Sequence, residues 1–314
     1  HHQRRWVLGL GGMTELSPED RRRFARRVER MVTPGEVGRL HQRAEMLGRL
    51  PVRAQDWVID RAGGREAQIG FVVEPYAVFL AYEITDLGAA SALLPEGYDL
   101  IPATMFAGGP PRPMCIIGAF AVHTSVFWGV RLELSVIAEH RERGMLTWVI
   151  CEVESNTISH EPGRGFASPS ATHAMLTTTH AGEVLIDIVA DTGDNRITGS
   201  LDLADARTVR LDERVWVEGN LSVDYGARLG RPGAPPFGLV FDPDEVATAL
   251  QVPHEAVRLT QNTVATGLRS REPFEVACFP YAQHYVTSSF PTGAPITTRD
   301  ELLALVHEVA NATE

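Results

Sequence analysis

The sequence predicts a mainly β (α+β) fold, an antiparallel β-barrel or cone around a central cavity, with an N-terminal helical hairpin and a C-terminal helix. Short segments of alternating apolar and polar residues follow one another through residues 68–225, separated by turns rich in glycine and proline. Helical patterns are too rare among these segments to supply the crossovers of a parallel sheet. The 314 residues, 44% of them hydrophobic, can bury a large core.

Two helices are predicted before the strands. Residues 17–20 (Ser-Pro-Glu-Asp) supply an N-cap, a proline at the first helical position and acids in the first turn of a basic helix that ends near Met31. Residues 33–36 (Thr-Pro-Gly-Glu) repeat the signal for a second helix to about Leu50, which Pro51 ends. We expect the two helices to form a hairpin outside the β body, with a second subunit of a homo-oligomer as one candidate partner.

The remaining elements follow from alternation and capping signals. Strands are predicted over 69–73, 77–84, 98–106, 114–124, 127–140, 145–154, 172–179, 184–190, 195–203, 214–225, 274–279 and 285–289. Short helices are predicted over 86–94 and 242–250, each beginning at an aspartate. Thr298 and Glu301 form a capping box for a C-terminal helix.

The chain has no linker-like stretch that would divide its β segments. We interpret residues 1–12, which begin His-His, as a tag or vector-derived leader, residues 13–66 as an N-terminal helical segment and residues 67–314 as one β-barrel domain with peripheral helices. The arginine-rich first helix has two readings: a solvated face, or a surface for nucleic acid or acidic lipid.

Charge and composition limit the partners. The net charge of −11 argues against a general binder of nucleic acid or anionic membranes, since such binding uses basic clusters. No apolar run approaches the roughly 20 residues of a membrane helix. We therefore expect a cytoplasmic protein that binds a small-molecule substrate. The three cysteines are odd in number and widely spaced, which encodes neither a disulfide framework nor a cysteine-based zinc site.

Several motifs of known chemistry are missing from the sequence. There is no GxGxxG after a strand, no Walker loop, no HExxH and no GxSxG. His160, His173 and His180 lack HxH or HxxxH spacing, which favours isolated polar histidines, and a metal site would require strands to assemble it in space. We expect no metal and no cofactor.

The fifth predicted strand carries the main candidate site. Arg131, Glu133 and Ser135 share one of its faces, and valine and leucine residues alternate on the other. Such a polar face is either solvated or the wall of a polar pocket. The next segment, 145–151, is an apolar run with the composition of a buried partner strand.

Glu133 is the candidate general acid or base. In an apolar pocket formed with Trp128, Trp148 and Phe166, desolvation would raise the pKa of Glu133, whereas a paired Arg131 would lower it. The alternative is an exposed cross-strand ion pair without a catalytic role.

Two further residues are candidates for the same site. His123 ends the preceding predicted strand and is a second catalytic candidate, with a structural histidine as the alternative. Arg164, in a glycine-rich loop, suits forked binding of a carboxylate or carbonyl oxygen, a role it shares with Arg131. An exposed loop arginine is the alternative reading.

All 29 basic residues are arginines, and the sequence contains no lysine. Arginine does not lose its proton to become a nucleophilic amine, so Schiff-base catalysis and a lysine general base are excluded. A GC-rich coding sequence would also produce this composition.

The order of these residues resembles the acetoacetate decarboxylase-like superfamily. Residues 82–86 (Tyr-Glu-Ile-Thr-Asp), a helix and residues 94–100 (Leu-Pro-Glu-Gly-Tyr-Asp-Leu) resemble the opening segment of that family, and the strand of Glu133 resembles the one with its pocket glutamate. Residues 163–171 (Gly-Arg-Gly-Phe-Ala-Ser-Pro-Ser-Ala) are similar to the family loop GRE…PKK. Its glutamate is replaced by Gly165, and its two lysines by Ser170 and Ala171.

The resemblance implies a large antiparallel β-cone or barrel around a small-molecule cavity, without the imine chemistry of the family. Ser170 joins the substrate-binding candidates. The expected function is lyase, dehydratase or cyclase chemistry on a keto acid or polyketide-like substrate of secondary metabolism, such as antibiotic biosynthesis. Glu133 would transfer the proton, and Arg131 or Arg164 would hold the oxygen. The alternative is a non-catalytic small-molecule binding or sensory protein.

Borohydride treatment in the presence of any keto acid is expected to leave the side chains of the protein unmodified. Reductive trapping requires an imine, and no lysine is present to form one. Intact-mass spectrometry measures the outcome, and a stable side-chain adduct contradicts the expectation.

Overall fold

The protein is mainly β, with one large mixed sheet and a few helices. The computed structural model describes residues 15–32, 46–62, 68–124, 128–161, 165–230, 236–288 and 296–313. Within these ranges, 19 strands form sheets of 13, four and two strands.

The α-helices are α1 (Pro18–Met31), α2 (Val52–Ala62), α3 (Leu87–Ala92) and α4 (Arg299–Asn311). The first strands are β1 (Gln68–Val73), β2 (Ala77–Glu83), β3 (Tyr98–Leu100), β4 (Pro102–Ala103), β5 (Arg112–Thr124), β6 (Trp128–His140), β7 (Leu146–Ser155), β8 (Ser159–Glu161) and β9 (Gly165–Ala167). The remaining strands are β10 (His173–Thr178), β11 (Glu183–Val189), β12 (Arg196–Asp202), β13 (Arg207–Arg210), β14 (Val223–Tyr225), β15 (Leu239–Phe241), β16 (Thr248–Gln251), β17 (Val257–Asn262), β18 (Glu275–Phe279) and β19 (Gln283–Ser288).

Strand β5 is the centre of the large sheet. It pairs antiparallel with β6 over nine residue pairs from Cys115 to His123, and β6 pairs in turn with β7. The other edge of β5 pairs first with β2 and then, near its end, with β1. Between β1 and β2 the extended conformation is interrupted at Tyr76, whose φ of 71° is in the left-handed region. The sheet therefore forks, with β18, β16 and β13 continuing from β2, and β19 and β15 continuing from β1.

Both faces of the central strands β2, β5 and β6 are largely buried, because alternate residues of each strand face different layers. One face packs against the sheet of β10, β11, β12 and β17, and Leu80 and Leu134 share one buried apolar cluster with Ile186 and Ile188. The other face packs against α1, α4 and the segment 214–221. Within this layer, the segment 214–221 contributes to the wall of the cavity described below.

The single antiparallel assembly predicted for residues 68–225 is wrong in two respects. Strands β10, β11 and β12 belong to a separate four-stranded sheet, and β14 pairs parallel with β7. Strands β15, β16, β18 and β19, from residues 239–288, extend the large sheet. The sheet is not closed by a continuous ladder: one isolated bridge, Val223 to Phe237, links β14 to the chain that enters β15. A closed barrel or cone therefore stays a prediction.

The predicted signals for α1 and α4 are confirmed. The Ser17 side chain accepts from the N–H of Asp20, and the Thr298 side chain accepts from the N–H of Glu301. Most of the second predicted helix lies outside the described residues. Helix α2, which begins just after Pro51, was not predicted.

The predicted strand over 214–225 is wrong over most of its length. Residues Arg214–Glu218 form a π-helix and Gly219–Leu221 a 3-10 turn before β14 begins. The valines and Trp216 favour a strand by propensity, but Asp212 caps the segment by accepting from the N–H of Val215, at 2.9 Å. A helix with apolar side chains on all sides is favourable when it is buried in the core, as this segment is.

Other differences are smaller. Residues 242–250 begin with a 3-10 turn, Pro243–Val246, and then form β16, so the predicted helix is too long. Strands β8, β9, β13, β15, β16 and β17 lie outside the predicted strands. None of the described helices has the length and apolar character needed to span a bilayer.

Helix α1 is held to the sheet by a buried histidine on β19. The His284 ring contacts the Glu245 carboxylate through Nδ1, at 2.7 Å, and the Glu29 carboxylate of α1 through Nε2, at 2.9 Å. Burial alone would lower the pKa of His284, but the two carboxylates outweigh it and the net pKa is raised above 6.5.

We expect the free energy of unfolding of the wild type to fall as the pH rises above about 6.5, relative to His284→Gln. A histidine whose pKa is raised by folding stabilises fully below its unfolded pKa, and this contribution is lost as the pH rises through the folded pKa. Urea titrations at several pH values measure the difference. The exposed His180, changed to Gln, is the control, and parallel profiles for wild type and His284→Gln contradict the expectation.

Candidate functional site

A cavity of about 190 Å³ lies on the face of the large sheet that also carries α1 and α4. This volume holds a ligand of several non-hydrogen atoms rather than one or two waters. Seven aromatic side chains line it: Phe71, Phe79, Phe120, Trp148, Trp216, Phe237 and Tyr285. Its polar lining consists of Thr124, Arg131, Glu133, Ser135, Asn220, Gln283 and Thr287.

Strand β6 supplies an ion pair to the cavity wall. Arg131, Glu133 and Ser135 all line the cavity because their parity on β6 is the same. The Arg131 Nε lies 2.5 Å from the Glu133 Oε1, and the side chains are 5% and 18% exposed. Burial of this degree makes the pair part of the wall rather than of the solvated surface.

A bulge in β7 determines which of its residues reach the cavity. Glu133 pairs with Val153, but Ser135 pairs with Ile150, so the register shifts by one residue between them. This shift turns Trp148 and Ile150 to the cavity side. Trp148 donates its indole N–H to the Val215 carbonyl at 2.8 Å, which fixes the ring in the wall.

Phe79 is at the centre of the aromatic wall. Its ring centroid lies 5.2 Å from Trp216, 5.7 Å from Phe279 and 6.1 Å from Trp148, all close to edge-to-face. Gly118 pairs with Phe79 on one side and with Glu133 on the other. A Cβ at Gly118 would lie 2.9 Å from the Phe79 ring, so the missing side chain makes room for that ring.

Strand β19 builds the wall on the branch of the sheet that continues from β1. Gln283, Tyr285 and Thr287 alternate with His284 and face the cavity. The Tyr285 ring stacks on Phe71 with centroids 4.9 Å apart, and burial raises the pKa of Tyr285, so its phenol stays protonated at neutral pH. The buried Thr287 Oγ1 has no hydrogen-bond partner within the described part of the chain.

The helical segment 214–221 supplies Trp216 and Asn220. Trp216 donates its indole N–H to the Met105 carbonyl at 3.1 Å, and Asn220 donates to the Trp216 carbonyl at 2.6 Å. These bonds hold both side chains against the cavity.

The structure does not bring His123 to Glu133. Val122 and Thr124 face the cavity, so His123 points to the opposite face of β5, where its Nε2 contacts the Glu74 carboxylate. Trp128 is 40% exposed and does not line the cavity. The sequence did not determine which way the side chains at the end of β5 and the start of β6 point, and this orientation decides where His123 and Trp128 lie.

The candidates in the predicted glycine-rich loop, Phe166 and Ser170, are not among the described residues that line the cavity. Phe166 packs at the edge of the core, and its N–H donates to the Gln55 side chain of α2 at 2.8 Å. The Ser170 hydroxyl accepts from the Ser155 N–H at 3.1 Å, which ties the loop to the end of β7. Arg164 lies outside the described residues.

Most of the aromatic wall, and the contribution of β19 to the cavity, were not predicted from the sequence. The alternation of Gln283, Tyr285 and Thr287 was visible as a strand with a partly polar face, but not as part of the same cavity. Trp216 was hidden by the wrong strand assignment. In the described ranges, no group of three His, Cys, Asp or Glu side chains is placed to hold a metal ion.

No family model and no curated protein sequence matches this chain. Among solved structures, it is similar to acetoacetate decarboxylase from Legionella pneumophila subsp. pneumophila str. Philadelphia 1, with 14% identity and a TM-score of 0.44 over 74% of this chain and 92% of that chain. A second acetoacetate decarboxylase structure gives 12% and 0.41 over 69% and 86%.

The enduracididine biosynthesis enzyme MppR complexed with pyruvate is also similar, with 11% identity and a TM-score of 0.39 over 71% of this chain and 87% of that chain. These structures include acetoacetate decarboxylases, whose superfamily the sequence resembles. The likeness is one of fold.

Gly118→Ala is expected to lower the free energy of unfolding by about 1–3 kcal/mol, the usual cost of overpacking a core. The new Cβ would press on Phe79, whose ring is held by Trp216 and Phe279. Urea denaturation measures the change. Gly267→Ala, where a Cβ meets nothing within 4 Å, is the control and should change stability by less than about 0.5 kcal/mol. Equal stabilities of the two variants contradict the expectation.

Proposed function

We propose that the protein is an enzyme that binds a small oxygenated molecule in the cavity and transforms it by lyase, dehydratase or cyclase chemistry without a Schiff base. The observation that carries this proposal is the Arg131–Glu133 ion pair in an otherwise largely apolar wall. As predicted from the sequence, the proposed substrate is a compound of secondary metabolism.

The cost of burying this pair supports a role toward a ligand. Removing each charge from water costs several kcal/mol, and the attraction between the two charges offsets little more than this desolvation cost. Apolar side chains at Arg131 and Glu133 would fill the wall at least as favourably. A carboxylate and a guanidinium side by side in a cavity instead provide a proton acceptor and a cationic hydrogen-bond donor.

The arrangement supports proton transfer next to a carbonyl group. The Glu133 carboxylate would take a proton from the carbon beside the carbonyl, and the electron pair would move onto the carbonyl oxygen. The Arg131 guanidinium would stabilise the resulting negative oxygen. In a dehydration, the β-hydroxyl group would then leave with the returned proton as water. In a cyclisation, the enolate carbon would attack a second carbonyl that the aromatic wall holds nearby, and the alkoxide formed there would take the proton back from Glu133.

A closed cone around the ligand is part of this proposal. Val223 and Phe237 exchange two backbone hydrogen bonds of 2.8 Å, and both side chains line the cavity. Further pairing along these segments would complete the cone and separate the ligand from water.

The second candidate function is a non-catalytic binding or sensory protein that uses the same cavity. The observation that favours it is that apolar side chains, aromatic and aliphatic together, outnumber the polar ones in the wall, since an apolar cavity retains a ligand without any proton transfer. The two functions differ in whether Glu133 is required for conversion or only for the shape of the wall.

Glu133→Gln is expected to lower turnover by about 10² to 10⁴ while ligand affinity changes little, because glutamine keeps the shape and hydrogen-bonding capacity but does not titrate. The protein is incubated with metabolite extracts of its source organism, and mass spectrometry identifies compounds that are converted or only retained. Rates are then compared between variants on the converted compound.

Glu154→Gln is the matched control. Glu154 pairs with Leu132 on β6, and its Oε1 accepts from Asn195 on the opposite face of the sheet. It should retain wild-type turnover. Wild-type turnover in Glu133→Gln with lost turnover in Phe120→Ala rejects proton transfer by Glu133 and favours a cyclase that acts by shape. Retention without conversion by the wild type favours the binding protein.

A further inference from the structure

Among the described residues that line the cavity, the charges cancel. Among the lining residues that the structure describes, Arg131 is the cation and Glu133 the anion, and they contact each other at 2.5 Å. A carboxylate ligand brought to Arg131 would also approach Glu133. The attraction of one and the repulsion of the other leave little net gain for an anion.

The rest of the wall disfavours an anion more strongly. The residues around the pair are aromatic or aliphatic, or are neutral hydroxyl and amide side chains such as Ser135 and Asn220. An ionised carboxylate loses its hydration on entering a cavity with such a wall. Only a full set of charged or hydrogen-bonding partners offsets the free energy of this desolvation. An uncharged carbonyl group loses far less.

Thr287 adds a second, independent observation. Its side chain is nine-tenths buried and lines the cavity, and its Oγ1 has no hydrogen-bond partner within the described residues. Its sheet partner on one side is Leu239, which also lines the cavity and offers no polar atom. A buried hydroxyl without a partner costs free energy, which a ligand oxygen at this position would recover.

We propose that the cavity is built for an uncharged, flat and largely apolar carbonyl compound, with one oxygen bound by the Thr287 hydroxyl, and that it selects against keto acids of the same skeleton. The aromatic side chains supply stacking and edge contacts to a conjugated or aromatic body. This inference rests on the proposed function for the location of the site, and it names the substrate class.

Matched probes test the selection directly. Methyl 2-oxo-4-phenylbutanoate and 2-oxo-4-phenylbutanoate share one skeleton and differ in the charge of the carboxyl group at neutral pH. Isothermal titration calorimetry with the full chain should give a dissociation constant at least about tenfold lower for the ester. In Glu133→Gln, the Arg131 charge loses its partner carboxylate, so the preference should shift toward the acid by about tenfold.

Thr287→Val tests the second contact. Valine has the shape of threonine without its hydroxyl, so ester affinity should fall roughly fivefold to tenfold, whereas Thr287→Ser should retain it. The urea midpoint of Thr287→Val should equal or exceed that of the wild type, because the lost hydroxyl had no partner among the described residues. This stability readout separates loss of a ligand contact from a folding defect.

Three outcomes overturn the inference: acid and ester binding equally or in the reverse order, unchanged ester affinity in Thr287→Val, or no binding of either probe below about 1 mM. All are binding measurements and do not require turnover. A failure of the proposed enzyme function, seen as wild-type turnover in Glu133→Gln, is therefore a separate result.

Discussion

The pairing of β5 with β6 is the constraint on which the rest of the structure depends. Because side chains alternate along both strands, one register places Leu132 and Leu134 against the four-stranded sheet and Arg131 and Glu133 against the cavity. A slip by one residue would exchange the two faces. The apolar face anchors that register, since a slip would bury the ion pair in the apolar layer between the large sheet and the four-stranded sheet, at a high cost in desolvation.

The forked shape of the sheet follows from the same central strand. β5 pairs with two collinear strands on one edge, and the break at Tyr76 allows the branches of β18 and β19 to separate. One branch extends the sheet that covers the core. The other branch, of β19 and β15, contributes Leu239, Tyr285 and Thr287 to the wall of the cavity. A flat sheet of the same strands would leave the aromatic side chains exposed rather than gathered around one space.

Electrostatic balance within the cavity distinguishes it from a site built around a free cation. The guanidinium of Arg131 is close to a carboxylate, and the phenol of Tyr285 is kept neutral by burial. The other polar groups of the described wall are uncharged. Such a wall favours ligands by shape and hydrogen bonding, and it would make the proposed proton transfer by Glu133 sensitive to the position of the neighbouring Arg131 charge.

The sequence by itself determined the mainly β composition, most strands of residues 69–203, the capped helices α1 and α4, and the shared face of Arg131 and Glu133. These features depend on local alternation and on capping over a few residues. Only the tertiary structure decided the bulge in β7 that turns Trp148 inward, the helical form of the segment around Trp216, and the arrival of Thr287 at the same cavity. The physical reason is that these depend on packing between residues as far apart as β6 and β19, and burial there overrides the local propensity of the chain.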